Sequence, residues 1–329
     1  MIQQQTPSHK ADNPKISFVI PFLNEGECVL QIYERVSNFA KSLGIQYELI
    51  CVNDGSTDNT MQLLRQLHHK DPRVKVVSFS RNFGHQIAVT AGLRYATGNC
   101  VVVMDADLQD PPEAVQDMLA KWRQGYHVVY GIRRNRQEGL IKRACYAAFY
   151  RLLQKTSFLK IPLDAGDFCL MDRCVIDQMK RFSEDSPFVR GLRSWVGFEQ
   201  TGVEYDRQAR TADKSKYSFP ALFRLAIDGM FSFSYLAIRL ATWFGLIITV
   251  LSIAYGLLIT VLWVLVKFGW LHLEKAPVGW TSLIVCLFFL LGVQFIFMGI
   301  LGEYVGRIFV QVKSRPLFVV KEELGCRDE

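Results

Sequence analysis

Five short apolar runs recur along the first part of the chain: Ile16–Pro21, Glu48–Val52, Val74–Ser80, Val101–Met104 and His127–Tyr130. Each is rich in β-branched residues and bounded by polar residues, Gly or Pro, which predicts strands. Between them, apolar positions return at helical spacing over Glu27–Ser42, Thr60–His69, Gln86–Ala96 and Pro112–Gln124. Strand–helix alternation of this kind predicts a parallel sheet covered by helices. In such sheets ligands bind beyond the carboxyl ends of the strands. Further on the pattern changes. Leu240–Val266 and Ala276–Gly302, 27 residues each, contain no Asp, Glu, Lys or Arg. As a helix each would be about 40 Å long, more than the ~30 Å hydrocarbon core of a bilayer. Lys267–Lys275 joins them, so a transmembrane hairpin with both ends on one side is expected.

Charge refines this picture. Against 31 acidic residues stand 38 Lys and Arg, a formal net charge of +7. With the two charge-free runs set aside, the remainder has the charge density of a soluble domain. A disordered chain, a purely soluble protein and a polytopic transporter are excluded. Arg224, Arg239, Arg307, Lys313, Arg315 and Lys321 flank the chain-end side of the hairpin, against Lys267 and Lys275 in its loop. That bias puts the large domain and the C-terminus in the cytoplasm, on a multi-pass protein of the cell membrane. Met1–Lys15 is polar, so no cleaved signal peptide is expected. Eight cysteines lie scattered without a CxxC pair, which suits a reducing compartment. Ser218–Leu236 spaces Phe219, Phe223, Ala226, Met230 and Phe233 as an amphipathic helix, either lying in the interface or packed on the soluble domain. Tyr304–Val312 repeats the idea more weakly.

The strand ends carry the candidate chemistry. The first strand runs into Pro21-Phe22-Leu23-Asn24-Glu25, and the second into Asn53-Asp54-Gly55-Ser56-Thr57-Asp58. The third ends in Arg81-Asn82-Phe83-Gly84-His85, the fourth in Asp105-Ala106-Asp107-Leu108-Gln109-Asp110-Pro111-Pro112. Any one loop has a structural explanation, such as Asp58 capping a helix or Gly55 making a turn. Four acidic or polar loops at one sheet edge exceed what capping requires. Asp105 and Asp107, two apart in extended backbone, point the same way. Such a pair calls for a shared proton or a hard cation, and a cation held by two carboxylates takes phosphate oxygens and water as its other ligands. Asp54 and Glu25 suit the N–H edge of a base or ribose hydroxyls. Gly84 and the helix start near Gln86 offer N–H groups to phosphate. Neither GxxxxGK[ST] nor GxGxxG occurs, so a P-loop or dinucleotide site has no support.

VIPFLNE, VNDGSTDNT, SRNFGHQIAVTAG, MDADLQDPPE, LDAGDFCLMD and DKSKYS follow one another in an order that resembles inverting family-two glycosyltransferases of the polyprenyl-phosphate type. Within that group the chain is most similar to the bactoprenol (undecaprenyl-phosphate) glucosyltransferases, with the dolichyl-phosphate mannose synthases as relatives. The resemblance implies an α/β GT-A fold, a Rossmann-like mixed sheet covered by helices, followed by the hairpin with juxtamembrane amphipathic helices. It divides the chain into a polar tail (1–14), a cytoplasmic catalytic domain (15–217), an interfacial helix (218–239), the transmembrane hairpin (240–302), and a juxtamembrane helix with cytoplasmic tail (303–329). It also implies a nucleotide-sugar donor at Pro21, Glu25, Asp54, Arg81, Gly84, Asp105 and Ala106. Mg²⁺ or Mn²⁺ would sit at Asp105 and Asp107, with Gln109 near it. The expected reaction is inverting transfer of one sugar, glucose from UDP-glucose, to undecaprenyl phosphate. Mannose-type or aminoarabinose-type donors, and a non-catalytic nucleotide-sugar-binding partner of a flippase, are the alternatives. One departure is Asp213, where the family often has Gly two residues before the SKY serine.

A phosphate monoester is already largely anionic at neutral pH, so the acceptor needs no Ser/His/Asp machinery. The demand is for positioning and for neutralising charge on the departing diphosphate. The basic run Arg133, Arg134, Arg136, Lys142, Arg143 and Arg151 either faces anionic lipid or clamps the acceptor phosphate. Arg133 and Arg143 are the expected clamp, by similarity to the mannose synthases. By resemblance Asp167 lies near the sugar, as a base or as an orienting group, and Lys216 on a mobile loop reaches a phosphate. Arg190 and Trp195 read as packing residues; His68 and His69 read as solvated. QxxRW, the polymer-binding signature of processive relatives, is absent, which favours single-sugar transfer. Membrane lipids and further copies of the chain, in a homo-oligomer, are expected partners; nucleic acid is not.

Overall fold

The computed structural model describes residues 13–134, 165–182, 184, 187–206, 236–268 and 280–326. In chain order the elements are β1 (Ile16–Phe22), α1 (Gly26–Ser42), β2 (Tyr47–Asn53), α2 (Thr60–Lys70), β3 (Val74–Phe79), α3 (His85–Tyr95) and β4 (Cys100–Val103). Then come α4 (Ala114–Arg123), β5 (Val128–Arg133), β6 (Ala165–Asp172), α5 (Arg173–Met179), α6 (Val189–Trp195) and β7 (Gln200–Tyr205). Two long helices, α7 (Leu236–Lys267) and α8 (Trp280–Val312), precede a last strand, β8 (Val320–Leu324).

The eight strands form one sheet in the order β7-β5-β6-β4-β1-β2-β3-β8. β4, β1, β2 and β3 are mutually parallel, as the strand–helix alternation predicts. The sheet as a whole is mixed, because β6 runs antiparallel between β4 and β5, and β8 runs antiparallel along β3. The first five strands and four helices stand where the apolar pattern puts them, to within three residues at the ends. Successive residues of the central strands point to opposite faces. Phe18, Ile20, Leu49 and Cys51 pack with α1, α2 and α4 on one face, and Val19, Ile50 and Val52 with α3, α5 and α6 on the other. Burying each such large apolar side chain contributes roughly 1.5–3 kcal/mol. Covered on both faces, the strands read as continuous apolar runs rather than as an alternation.

Glu48 is an acid buried among the strands. At the amino end of β2, it accepts from Ser17 Oγ at 2.5 Å and from the Thr97 amide at 2.7 Å. Lys15 and Lys75 Nζ each stand 3.1 Å from its carboxylate. Burial alone would raise its pKa, yet the donors from Ser17, Thr97 and Lys15 outweigh that and bring it down to about 2. The sequence reads Glu48 only as part of an apolar strand. His68, read as solvated, is instead half-buried with Nδ1 2.7 Å from the Val74 carbonyl oxygen.

The chain divides into two compact units: one of residues 1–154, 159–222 and 314–329, the other of 155–158 and 223–313. In the second, α7 has 32 residues and α8 has 33. Phe289–Val312 of α8 is long and apolar enough to cross a membrane, with mean hydropathy 1.6 and none of it buried. This segment supports membrane association. The Tyr304–Val312 stretch is not a separate helix but the end of α8. Gly245 of α7 lies against Phe297 of α8. The expected interfacial helix over 218–235 and most of the hairpin loop lie outside the described residues.

Candidate active site

The parallel strands β1, β2, β3 and β4 end on one edge, and their loops are laced together. Asn24, after β1, adopts φ +54° and accepts from the Thr57 amide at 2.8 Å. Asp58 Oδ1 accepts from the Thr60 amide at 3.0 Å and Oδ2 from Gly26 at 3.2 Å, so it holds the starts of both α1 and α2. Glu25 occupies the N-cap position of α1. Gly55 has φ +69°, and a Cβ there would lie 2.5 Å from the Asn82 amide nitrogen. Only glycine permits both the conformation and the close approach of the β3 loop.

Asp54 governs that loop. Its carboxylate accepts from the Phe83 amide at 2.7 Å and the Gly84 amide at 3.0 Å. Burial raises its pKa against those donors. The Asp54 carboxylate and the Gly84 N–H, each expected to face a nucleotide, therefore bind each other. Their bond shapes the turn that presents Arg81, whose guanidinium lies 4.0 Å over the Phe83 ring.

Past β4, Asp105 and Asp107 flank the buried Ala106. Leu108 follows with φ +60°, a conformation that costs a branched residue about 1–3 kcal/mol and tends to mark functional loops. Arg35 donates to the Leu108 carbonyl at 3.4 Å, and the Gln109 amide to Asp107 Oδ1 at 3.2 Å. Burial pushes the Asp105 carboxyl up to about 6; His85 opposes the rise, and Asp110, Asp167 and Asp107 add to it. Negative charge is thus in excess here.

His85 stands between two acids, its Nε2 3.7 Å from Asp105 Oδ1 and 3.7 Å from Asp167 Oδ2. Burial lowers its pKa, but Asp167 and Asp105 prevail and raise it. Asp167, on β6, receives Arg190 bidentately: Nε to Oδ1 at 2.7 Å and Nη2 to Oδ2 at 3.0 Å. Gln86 Nε2 donates to the same carboxylate at 3.2 Å, while Gln86 Oε1 accepts from the Val189 amide at 3.0 Å. Burial would raise the Asp167 pKa, yet Arg190 and His85 hold it well below the usual carboxylate range. Asp167 is a fixed hydrogen-bond acceptor and a poor base.

A third cluster lies past β5. Arg133 Nε donates to Tyr205 Oη at 3.4 Å, and Tyr205 Oη donates to the buried Asp110 at 2.7 Å. Burial lowers the Arg133 pKa, but Tyr205 and Asp110 raise it further, so the cation is secure.

Asp105, Asp107, Gln109, Asp167 and Arg133 thus sit on elements of one sheet edge, with Pro21 in β1. Arg143 and Lys216 lie outside the described residues, as do Arg136, Lys142, Arg151, Asp164 and the 207–217 basic cluster. Sequence reasoning placed His85 at the donor-side strand end without its acid partners, missed the Gln86 side chain and Tyr205, and read Arg190 as packing. Asp167 and Arg190 are 23 residues apart, and no motif signals such a pair. Among the described residues no group of three or more His, Cys, Asp or Glu gathers as a closed metal site. Two carboxylates with surplus negative charge and an amide nearby fit a hard divalent cation that completes its shell with diphosphate and water.

Residues 17–179 match the family model described as Glycosyl transferase family 2. The uncharacterized glycosyltransferase YkcC of Bacillus subtilis (strain 168) is 44% identical over 314 residues, covering 95% of each chain. The SfII prophage-derived bactoprenol glucosyl transferase of Shigella flexneri is 39% identical over 314 residues, covering 94% of this chain and 98% of its own. A crystal structure of glucosyl-3-phosphoglycerate synthase from Mycobacterium tuberculosis with Mn²⁺, UDP and phosphoglyceric acid is 20% identical and covers 67% of this chain and 78% of its own, at a TM-score of 0.48. With near full-length relatives at this identity, the chain belongs to glycosyl transferase family 2 and is a glycosyltransferase with a GT-A mixed sheet.

Proposed function

We propose that this enzyme transfers one glucosyl group from UDP-glucose, with inversion, to undecaprenyl or another polyprenyl phosphate at the cytoplasmic face of the cell membrane. One observation carries the reading: a near full-length relative at 39% identity is named a bactoprenol glucosyl transferase. The acid pair, the fixed Asp167 and the secured Arg133 at one sheet edge supply the chemistry that such a transfer needs.

Asp105 and Asp107, with Gln109, would hold Mg²⁺ or Mn²⁺, and the bound cation would supply positive charge against the departing diphosphate. Pro21, Glu25, Arg81 and Ala106 line the donor side, and Asp54 and Gly84 shape it. Asp167, held ionised by Arg190 and His85, accepts from a sugar hydroxyl and orients the ring. Arg133, with Arg143 and Lys216, positions the lipid phosphate. A phosphate oxygen, already anionic, forms the bond to the anomeric carbon as the bond from that carbon to the UDP oxygen breaks, and UDP leaves with the electron pair. No proton need move, so a base is not required of Asp167. α7 and α8 form the membrane hairpin, with both ends on the cytoplasmic side, and the chain works as a homo-oligomer.

Purified protein incubated with radiolabelled UDP-glucose and a short polyprenyl phosphate, with and without chelator, tests the proposal. Glucosyl lipid is expected to form, and to be lost with chelator and in Asp105→Ala. Transfer that survives both would remove the metal role. Preferential use of another nucleotide sugar in competition would change the donor and leave the rest standing.

A further inference from the structure

We propose that the C-terminal segment Phe318–Leu324, which follows the apolar helix α8, is a positioning element of the donor site, with Phe318 as its key residue. The inference rests on the donor reading above and goes beyond it. β8 pairs antiparallel with the edge strand β3, Val76 opposite Leu324 and Phe79 opposite Val320. Pairing continues past the strand: the Ser80 amide donates to the Val319 carbonyl at 2.9 Å. Ser80 is the last residue before the Arg81–Gly84 loop.

Side chains extend the connection into that loop. Phe318 stacks on the buried Phe79, ring centroids 4.9 Å apart and planes 21° from parallel. Phe79 in turn meets Phe83 edge-on at 5.7 Å. Phe83 supports the Arg81 guanidinium and donates its amide to Asp54. An unbroken relay therefore runs Phe318–Phe79–Phe83 to Arg81 and Asp54. The same segment pins the helix that carries His85 and Gln86: Arg94, in the last turn of α3, lies 5.7 Å over Phe318, and Tyr95 hydrogen-bonds Glu323. Arg65 grips Glu322 with two bonds, at 2.8 and 2.5 Å.

Without this strand β3 would be a bare edge with unpaired backbone groups. The loop it ends in would lose the ring that fixes Phe83. Lys313–Val319 lead from the end of α8 to β8, which belongs to the same compact unit as the donor loops.

The test is titration of Phe318→Ala, Phe318→Leu and Phe318→Tyr full-length protein with UDP plus Mn²⁺ by calorimetry, alongside KM values for donor and acceptor. Loss of one aromatic contact is expected to weaken UDP binding about three- to tenfold in the Ala and Leu variants, with rescue in Tyr and acceptor KM unchanged. Leu keeps the apolar volume, so it reports even if Ala fails to fold. UDP binding equal to wild type in the Leu variant, or equal losses for donor and acceptor, would overturn the inference. Failure of the wild type itself to bind UDP would instead bring down the donor reading, and this inference with it.

Discussion

Two acids, one buried and one half-buried, sit at opposite ends of the parallel strands, and their surroundings are opposed. Glu48, at the amino end of β2, is met by two lysines, a serine and a threonine, and its pKa falls to about 2. Asp105, past the carboxyl end of β4, is met by three further acids and one histidine, and its pKa rises to about 6. The first network is complete within the protein and serves stability. The second carries uncompensated charge, as a site must if a cation and a diphosphate are to complete it. Substitutions at the two ends should therefore split activity from stability.

The largest effect is expected at the incomplete end. Asp105→Asn should lower transfer by about 10³-fold or more, the scale for losing an electrostatic stabiliser of the departing group. Its melting temperature in chelator should match or exceed wild type, because a repelling carboxylate is gone. An unfolded variant would place Asp105 among structural acids like Glu48. Next comes Arg190→Ala, which strands the Asp167 carboxylate without its bidentate partner. About 3 kcal/mol of stability should be lost, read by urea unfolding, together with transfer activity. Arg190→Lys should recover part of the stability and less of the activity, since lysine cannot hold both oxygens.

At the complete end the pattern inverts. Glu48→Gln removes the charge facing Lys15 and Lys75 and should cost about 2–3 kcal/mol, while the kcat of the folded fraction stays near wild type. A kcat falling in step with Asp105→Asn would mean that the two ends are not separate.

How far the two ends are legible in the sequence follows from the same contrast. The carboxyl end of the strands announces itself because acids cluster in loops, where nothing apolar hides them: DGSTD after β2 and DADLQD after β4 stand out against the valines before them. Asp167 could be named only by family likeness, and its partner Arg190 not at all, since the pair is made by packing α6 on β6. Glu48 was invisible for a related reason. Its donors come from the starts of β1, β3 and β4, brought together only when the sheet forms. β8 was hidden too: VKEEL is too charged to read as a strand, and nothing in β3 signals a partner from so far along the chain. Local pattern reports elements and loops; contacts closed across more than 20 residues report the fold.

The smallest effect, and the most diagnostic of the contrast, is the pH dependence of the metal-free protein. Glu48 has its folded pKa below the unfolded one, so its contribution, about 3 kcal/mol, is complete above pH ~4.5 and is lost as pH falls toward 2. Asp105 has its folded pKa above the unfolded one. Ionising it opposes folding, so its penalty is fully present above pH ~6 and is relieved as pH falls toward ~4. His85, raised by Asp167 and Asp105, adds in the same sense: its stabilisation is present below its unfolded pKa and is lost as pH rises through the folded one. Stability in chelator should therefore peak near pH ~4–4.5 and descend by about 2–3 kcal/mol between there and pH ~6. Mn²⁺ should flatten that limb, because a bound cation compensates the same charge, and Asp105→Asn should flatten it without metal. Thermal melts across pH 2.5–8 on both proteins check this; a wild-type curve that climbs steadily to pH 7 in chelator would mean that Asp105 is not the strained acid of the pair.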